Sequence, residues 1–285
     1  MSEWERVLWK KQAYADNYIP PSFLSSLRRN ANVHPYTYAP LVLASCAIIQ
    51  HISAVFILLS AFVHLHTMAL DPRLLVWVSI LCFLLGYTAW ELTQARTNTS
   101  TEMRWWRAKA FKSSILVFLA LLALSPVLKT LTEATSSDSI WALSAFLLGL
   151  NVLLADYSSS FDRTTTKLTS VLSMNAGISA SVVLASRLSS NLSVFALILF
   201  AVQLLALLPI LRKYLNTSPL RILISTALLI TASGVLIMPI SSALAFVQGG
   251  ILAFIGLACP AVLVWAQKYK NEIKGSWDPA VPQLR

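Results

Sequence analysis

Ser125-Pro126-Val127-Leu128-Lys129-Thr130-Leu131-Thr132-Glu133-Ala134-Thr135-Ser136-Ser137-Asp138-Ser139-Ile140-Trp141-Ala142-Leu143 lies between two long apolar runs. It interrupts them with a helix breaker, a lysine, two acids and seven hydroxyl side chains. Ser125 has the chemistry to cap a helix whose first turn holds Pro126. Lys129 and Glu133 are four residues apart, which places them on one helical face. Ser136 or Ser137 offers a second cap, with Asp138 in the turn behind it, where a carboxylate meets the positive end of the helix dipole. The stretch reads as the end of one membrane helix, a tight polar corner and the start of the next. Its plainest role is to end two helices.

The rest of the chain repeats the apolar pattern. Eight such stretches run at about 41–65, 74–92, 112–134, 139–155, 171–187, 192–211, 220–238 and 241–266. A bilayer span needs about 20 residues. The third stretch reaches that length only by running through Pro126, and the fourth is short. The expected fold is all-α, a polytopic bundle of about eight transmembrane helices over 41–266. A polar cytosolic or interfacial arm over 1–40 precedes it, and a cytosolic tail over 267–285 follows. In the arm, Trp4, Val7 and Leu8 recur at helical spacing, and Phe23, Leu24 and Leu27 do so after Pro20-Pro21. The arm lacks the compact apolar run of a cleavable signal, so the first span is expected to direct insertion.

At 285 residues, 56% hydrophobic and 12% charged, the composition excludes a soluble domain. The net charge of +10 resembles that of a nucleic-acid binder until its distribution is followed. With the N-terminus cytosolic, nineteen of the 22 lysines and arginines fall on the cytosolic side, and only Arg73, Lys129 and Arg187 face the other. That asymmetry sets orientation and puts both termini in the cytosol. The excess charge then lies against anionic lipid rather than nucleic acid. The sequons at Asn98, Asn191 and Asn216 are expected to stay unglycosylated, the first and third being cytosolic and the second lying in a short corner against the membrane.

Candidate chemistry is sparse. Cys46, Cys82 and Cys259 lie in apolar segments and are expected to be free thiols. His51 and His64 have no carboxylate or cysteine at ligand spacing, so no metal and no cofactor is expected. His66 and Asp71 have the His-x-x-x-x-Asp spacing of some acyltransferases, a two-residue match best explained by chance. Nucleophile elbows and phosphate loops are absent from the sequence. Arg104-Trp105-Trp106-Arg107, with Lys109 and Lys112, stands at the cytosolic start of span 3. Indoles there anchor at the headgroup level, and the cations suit an anionic lipid headgroup. In span 5, Ser173, Gly177, Ser181 and Ala185 recur every fourth residue and invite close approach by another helix. That helix belongs either to this chain, the favoured reading, or to another. Gly249 and Ala253 are a weaker version.

Several of these residues, with others, resemble the PIG-C family. The likeness is carried by Trp4 with Val7-Leu8, Gln12, Asp16-Asn17-Tyr18, and above all Ser125 to Glu133. Asp138, Ile140, Asp156-Tyr157, Leu184-Ala185-Ser186-Arg187-Leu188, Gly275 and Trp277-Asp278 extend it. Ala15 and Ser276 depart from it, each standing where the family usually has proline. The resemblance implies a non-catalytic membrane subunit of the enzyme that transfers N-acetylglucosamine from UDP-GlcNAc to phosphatidylinositol. That reaction is the first step of GPI-anchor biosynthesis, at the cytosolic face of the endoplasmic reticulum. Implied partners are PIG-A, PIG-H, PIG-P and PIG-Q, with PIG-A resembling the glycosyltransferase proper. A transporter or a stand-alone membrane-embedded lipid-modifying enzyme are the alternatives. Depth bears on the opening stretch: from Ser113 to Lys129 a helix rises about 24 Å, which puts Lys129 near the non-cytosolic interface. There Lys129, Glu133, Asp138 and Arg187 are expected to fix spans 3, 4 and 5 for assembly rather than catalysis.

Overall fold

The computed structural model describes residues 11, 13–15, 18, 28–29, 35–95, 101–131, 135–157, 168–215, 218–270 and 273–274. The helices are α1 Tyr38–His66, α2 Pro72–Ala95, α3 Thr101–Thr130, α4 Ser137–Leu154, α5 Leu168–Ala185 and α6 Asn191–Ala201. They continue with α7 Leu208–Leu215, α8 Pro219–Ile237, α9 Ser242–Ala253 and α10 Cys259–Ala266. A π turn over Val202–Leu207 joins α6 to α7, and another over Phe254–Ala258 joins α9 to α10. Seven of the resulting rods are long and apolar enough to cross a membrane: Tyr38–His66, Pro72–Glu91, Lys112–Thr130, Ser137–Leu154, Asn191–Arg212, Pro219–Ile237 and Ser242–Tyr269. The remaining expected span is α5, whose apolar part, Ser170–Ala185, is shorter.

The chain divides into two units. The larger, Ala39–Pro260, is the bundle. The smaller joins Met1–Tyr38 to Ala261–Arg285. In the smaller unit, β1 Arg28–Arg29 pairs antiparallel with β2 Ile273–Lys274. The Tyr36 N–H donates to Gln267 Oε1 at 2.8 Å, and Gln267 Nε2 donates back to the Tyr36 carbonyl at 2.9 Å.

In the bundle, polar contacts fix the helix directions. Gln50, midway along α1, donates to Thr226 Oγ1 in the first half of α8 at 2.8 Å. His64, late in α1, lies 2.9 Å from the carbonyl of Leu236 late in α8. The two helices are therefore parallel. Phe62 meets Trp141 at the start of α4, while His51 meets Asn151 at its end, so α1 and α4 are antiparallel. These contacts define a proximal end, where α1 begins and α4 finishes, and a distal end.

α1 and α6 are central. Their span windows are 56% and 50% buried, against 11% for α2 and 6% for α3. Every residue of α6 from Ser193 to Ala201 is buried, as expected of a helix apolar all round. Outer helices such as α2 and α3 expose leucine, valine and tryptophan, which suits contact with lipid. Serines start four helices. The hydroxyls of Ser136, Ser190, Ser218 and Ser241 accept from the N–H three residues on, beginning α4, α6, α8 and α9.

One local expectation is corrected. Ser125 does not cap a new helix, because α3 runs unbroken through Pro126 to Thr130. A proline inside a helix strands the carbonyl four residues back. For Pro126 that carbonyl belongs to Leu122, and the buried Ser125 hydroxyl donates to it at 3.0 Å. The serine replaces the donor that its neighbour removed. Pro209 and Pro260 meet the same difficulty otherwise, each standing two residues beyond a π turn that widens the backbone ahead of it. Ser125→Ala is expected to cost about 1 kcal/mol, read as a lower thermal midpoint of the solubilised protein. Ser125→Thr, which keeps the hydroxyl, is expected to retain stability.

Candidate functional site

The densest polar grouping lies at the proximal end, inside the bundle. Asn151 is buried in the last turn of α4. Its Nδ2 donates to the Ser173 carbonyl at 2.8 Å and to Ser173 Oγ at 3.1 Å. Ser173 Oγ in turn donates to the Asn151 carbonyl at 2.6 Å. Since a carbonyl only accepts, the amide orientation is fixed, and Asn151 Oδ1 faces His51 Nε2 at 2.8 Å. His51 must then carry its proton on Nε2, which leaves a lone pair on Nδ1 in the neutral ring.

Three residues surround this core. Tyr157, just past α4, sets its ring edge-on to His51 with centroids 5.7 Å apart. Its hydroxyl donates to the Val152 carbonyl at 2.7 Å. Burial pushes the Tyr157 phenol up to about 12, and the positive charge of Arg212 only partly opposes this. Arg212, on α7, donates from Nη1 to the Ala47 carbonyl of α1 at 2.7 Å, with the Asp156 carboxylate within charge range. The His51–Asn151–Ser173 bonds join α1, α4 and α5, and a separate bond from Arg212 to Ala47 ties α7 to α1 beside them. A guanidinium, a carboxylate, a phenol and an imidazole together present donors and acceptors suited to a polar ligand. Among the described residues no three His, Cys, Asp or Glu side chains gather closely enough to hold a metal ion.

The residues singled out in the sequence are distributed around this site. Ser173 belongs to it, and Ser173, Ser181 and Ala185 are all buried. Gly177 faces Asn151 and Leu205, so the small-residue stripe of α5 meets α4 and the π turn of this chain. Gly249, by contrast, faces open space. At the distal end, Ser136 caps α4 with Asp138 in its first turn. Arg187 Nη2 donates to the Thr135 carbonyl, tying the end of α5 to the corner before α4. Lys129 and Asp138 make no ion pair with each other among the described residues, and Glu133 lies outside them. Arg104, Trp105, Trp106, Arg107 and Lys109 are in the first turns of α3, and Lys112 follows, exposed. His66 stacks on Phe62, and Asp71 Oδ1 accepts from Arg73 N–H at 2.8 Å at the start of α2.

Asn151 and Arg212 were not singled out as site residues from the sequence, and Tyr157 entered only through the family likeness. The available signal was an intramembrane amide. Asn151 is an amide within an apolar run, and such groups almost always find partners across helices.

A bundle of membrane-length helices with a polar site buried at one end is a polytopic helical membrane protein. Its sequence places it more narrowly: the chain belongs to the GPI2 family, described as phosphatidylinositol N-acetylglucosaminyltransferase, which matches residues 4–278. It is 39% identical over 284 residues to the Schizosaccharomyces pombe phosphatidylinositol N-acetylglucosaminyltransferase GPI2 subunit, covering 99% of this chain and 87% of that one. It is 34% identical over 282 residues to the C subunit of the Homo sapiens enzyme of the same name, covering 98% and 92%. A putative C subunit from Dictyostelium discoideum is 36% identical over 280 residues, covering 98% and 79%. No solved structure matches the chain.

Proposed function

We propose that this chain is a membrane subunit of the complex that transfers N-acetylglucosamine from UDP-GlcNAc to phosphatidylinositol, the first step of GPI-anchor biosynthesis. The observation that carries the reading is the family match over nearly the whole chain, with relatives themselves named as subunits. The chain serves as a non-catalytic scaffold in the endoplasmic reticulum membrane, with both termini in the cytosol. Its partners are of the PIG-A, PIG-H, PIG-P and PIG-Q type. Support for a scaffold comes from how its central polar groups are used: Asn151, Ser173 and the Nε2 proton of His51 are committed to holding helices together. Copurification from native membranes is expected to recover the glycosyltransferase partner and lipid-dependent transfer, with tags at both ends accessible from the cytosol. Turnover by the isolated chain, or a protected tag, would overturn the corresponding part.

The segment Arg104-Trp105-Trp106-Arg107 with Lys109 and Lys112 gathers anionic lipid at the membrane surface. Its support is the basic and aromatic composition at the start of a spanning helix. Replacing Arg104 and Arg107 with glutamine is expected to raise the phosphatidylinositol needed for half-maximal activity while leaving the complex assembled. An unchanged requirement leaves the segment an anchor only.

A further inference from the structure

We propose that Arg212, Asp156, Tyr157 and His51 form a binding site for the phosphorylated polyol headgroup of a membrane lipid. This deepens the functional reading above and rests on it for the lipid concerned, while the chemistry of the site is argued from its own residues. Arg212 has five N–H donors. Its one hydrogen bond among the described residues is from Nη1 to the Ala47 carbonyl. That bond orients the guanidinium, and the rest of the fork makes no further hydrogen bond among the described residues, with the Asp156 carboxylate within charge range. A guanidinium is costly within a membrane unless it has an anionic or polar partner. Its planar fork matches phosphate better than a point charge does.

The other groups argue against a bare phosphate. Asp156 lies within charge range of Arg212, and a carboxylate repels an anion but accepts well from hydroxyls. His51 Nδ1 has a lone pair and no hydrogen-bond partner among the described residues, because Nε2 is the nitrogen committed to Asn151. The Tyr157 oxygen, having donated to Val152, retains acceptor capacity. One cation beside the open acceptors of His51 and Tyr157 suits a ligand that carries both a phosphate and hydroxyl groups. A quaternary-ammonium headgroup offers no hydroxyls and brings a charge that Arg212 opposes.

Depth favours a lipid over a nucleotide sugar of similar chemistry. From His66 back to His51 α1 rises about 22 Å, so in a core about 30 Å thick His51 lies roughly 8 Å inside the proximal face. Arg212 closes the span Asn191–Arg212 at that same end. A headgroup at the interface has only about 8 Å to descend while its acyl chains stay in lipid, whereas a free nucleotide must leave water altogether.

The test uses the assembled complex in nanodiscs of phosphatidylcholine containing a photoactivatable phosphatidylinositol, with photoactivatable phosphatidylcholine as the control. Crosslinks in the wild-type chain are expected at the end of α4 and on α7, selectively with the inositol lipid. Labelling confined to other surfaces, or equal labelling by both probes, overturns the site without any variant. Arg212→Gln is expected to cut labelling and raise the apparent KM for phosphatidylinositol by about tenfold or more. KM for UDP-GlcNAc should stay unchanged, and Arg212→Lys should recover part of the loss. A shift in KM for UDP-GlcNAc with phosphatidylinositol unaffected assigns the cluster to the nucleotide sugar and overturns the lipid proposal. Should Arg212→Gln fail to assemble, Asp156→Asn replaces it, with the same expected and overturning outcomes. Crosslinking needs no turnover. Specific labelling in a complex that transfers no sugar would therefore sink the functional reading and leave the site standing.

Discussion

Asn151→Ala is expected to reduce the amount of folded protein several-fold and to lower the thermal midpoint of the solubilised complex. The side chain makes three hydrogen bonds across helices: one with His51 on α1 and two with Ser173 on α5. Interhelical hydrogen bonds in membrane proteins contribute less than their burial suggests, about 0.6 kcal/mol on average and up to about 1.7, because the unfolded segment also finds partners in the bilayer. Three such bonds and the small cavity left by the amide together give a loss of about 2–4 kcal/mol. Asn151→Asp separates bonding from packing, since it has nearly the same shape. Its carboxylate still accepts from His51 but has no N–H for the Ser173 carbonyl, and it places a charge in a dry site. It is therefore expected to be at least as damaging as alanine. Wild-type abundance and thermal midpoint for Asn151→Asp would show that this network does not hold α1, α4 and α5 together.

Most of the helical organisation was legible because it depends on length and composition, which a single sequence displays in full. The apolar runs and the corner before α4 are local features. Ser136 lies in a sequence that offers a cap and a first-turn acid, and it caps α4. Ser125 misled for a local reason: Ser-Pro is equally the start of a helix and a self-repaired proline within one. Only the continuity of α3 and the hydroxyl bond to Leu122 distinguish them. The polar site was much less legible. His51 and Asn151 are 100 residues apart, and nothing local marks them as partners. A histidine without a carboxylate at ligand spacing looked inert. Its partner is instead an amide, which carries no charge to draw attention and no spacing rule to find it. The stripe in α5 lies between these cases, since its spacing showed that a helix comes close but not which one.

Gly177 is where that stripe becomes quantitative. A Cβ there would stand 2.8 Å from both Asn151 Nδ2 and Leu205 Cδ1, and 3.1 Å from Asn151 Cγ. The leucine methyl can turn aside. Asn151 cannot, because its amide is pinned between His51 and Ser173. Gly177→Ala must therefore push α4 from α5 or break the network. Overpacking of this kind costs about 1–3 kcal/mol, against a gain of about 1 kcal/mol from the better helix propensity of alanine. Gly177→Val enlarges the clash without that full gain and is expected to abolish accumulation. Two other glycines provide an internal scale. A Cβ at Gly256 meets the tip of Ile49, at 2.8 Å, while one at Gly149 meets nothing within 4 Å. Alanine at Gly149 is expected to be neutral or stabilising, at Gly256 mildly destabilising, and at Gly177 the worst of the three. Thermal midpoints of the three variants in the assembled complex give the order directly. If Gly177→Ala matched Gly149→Ala, the close approach of α4 and α5 around Asn151 would be wrong, and the polar site built on it would fall as well.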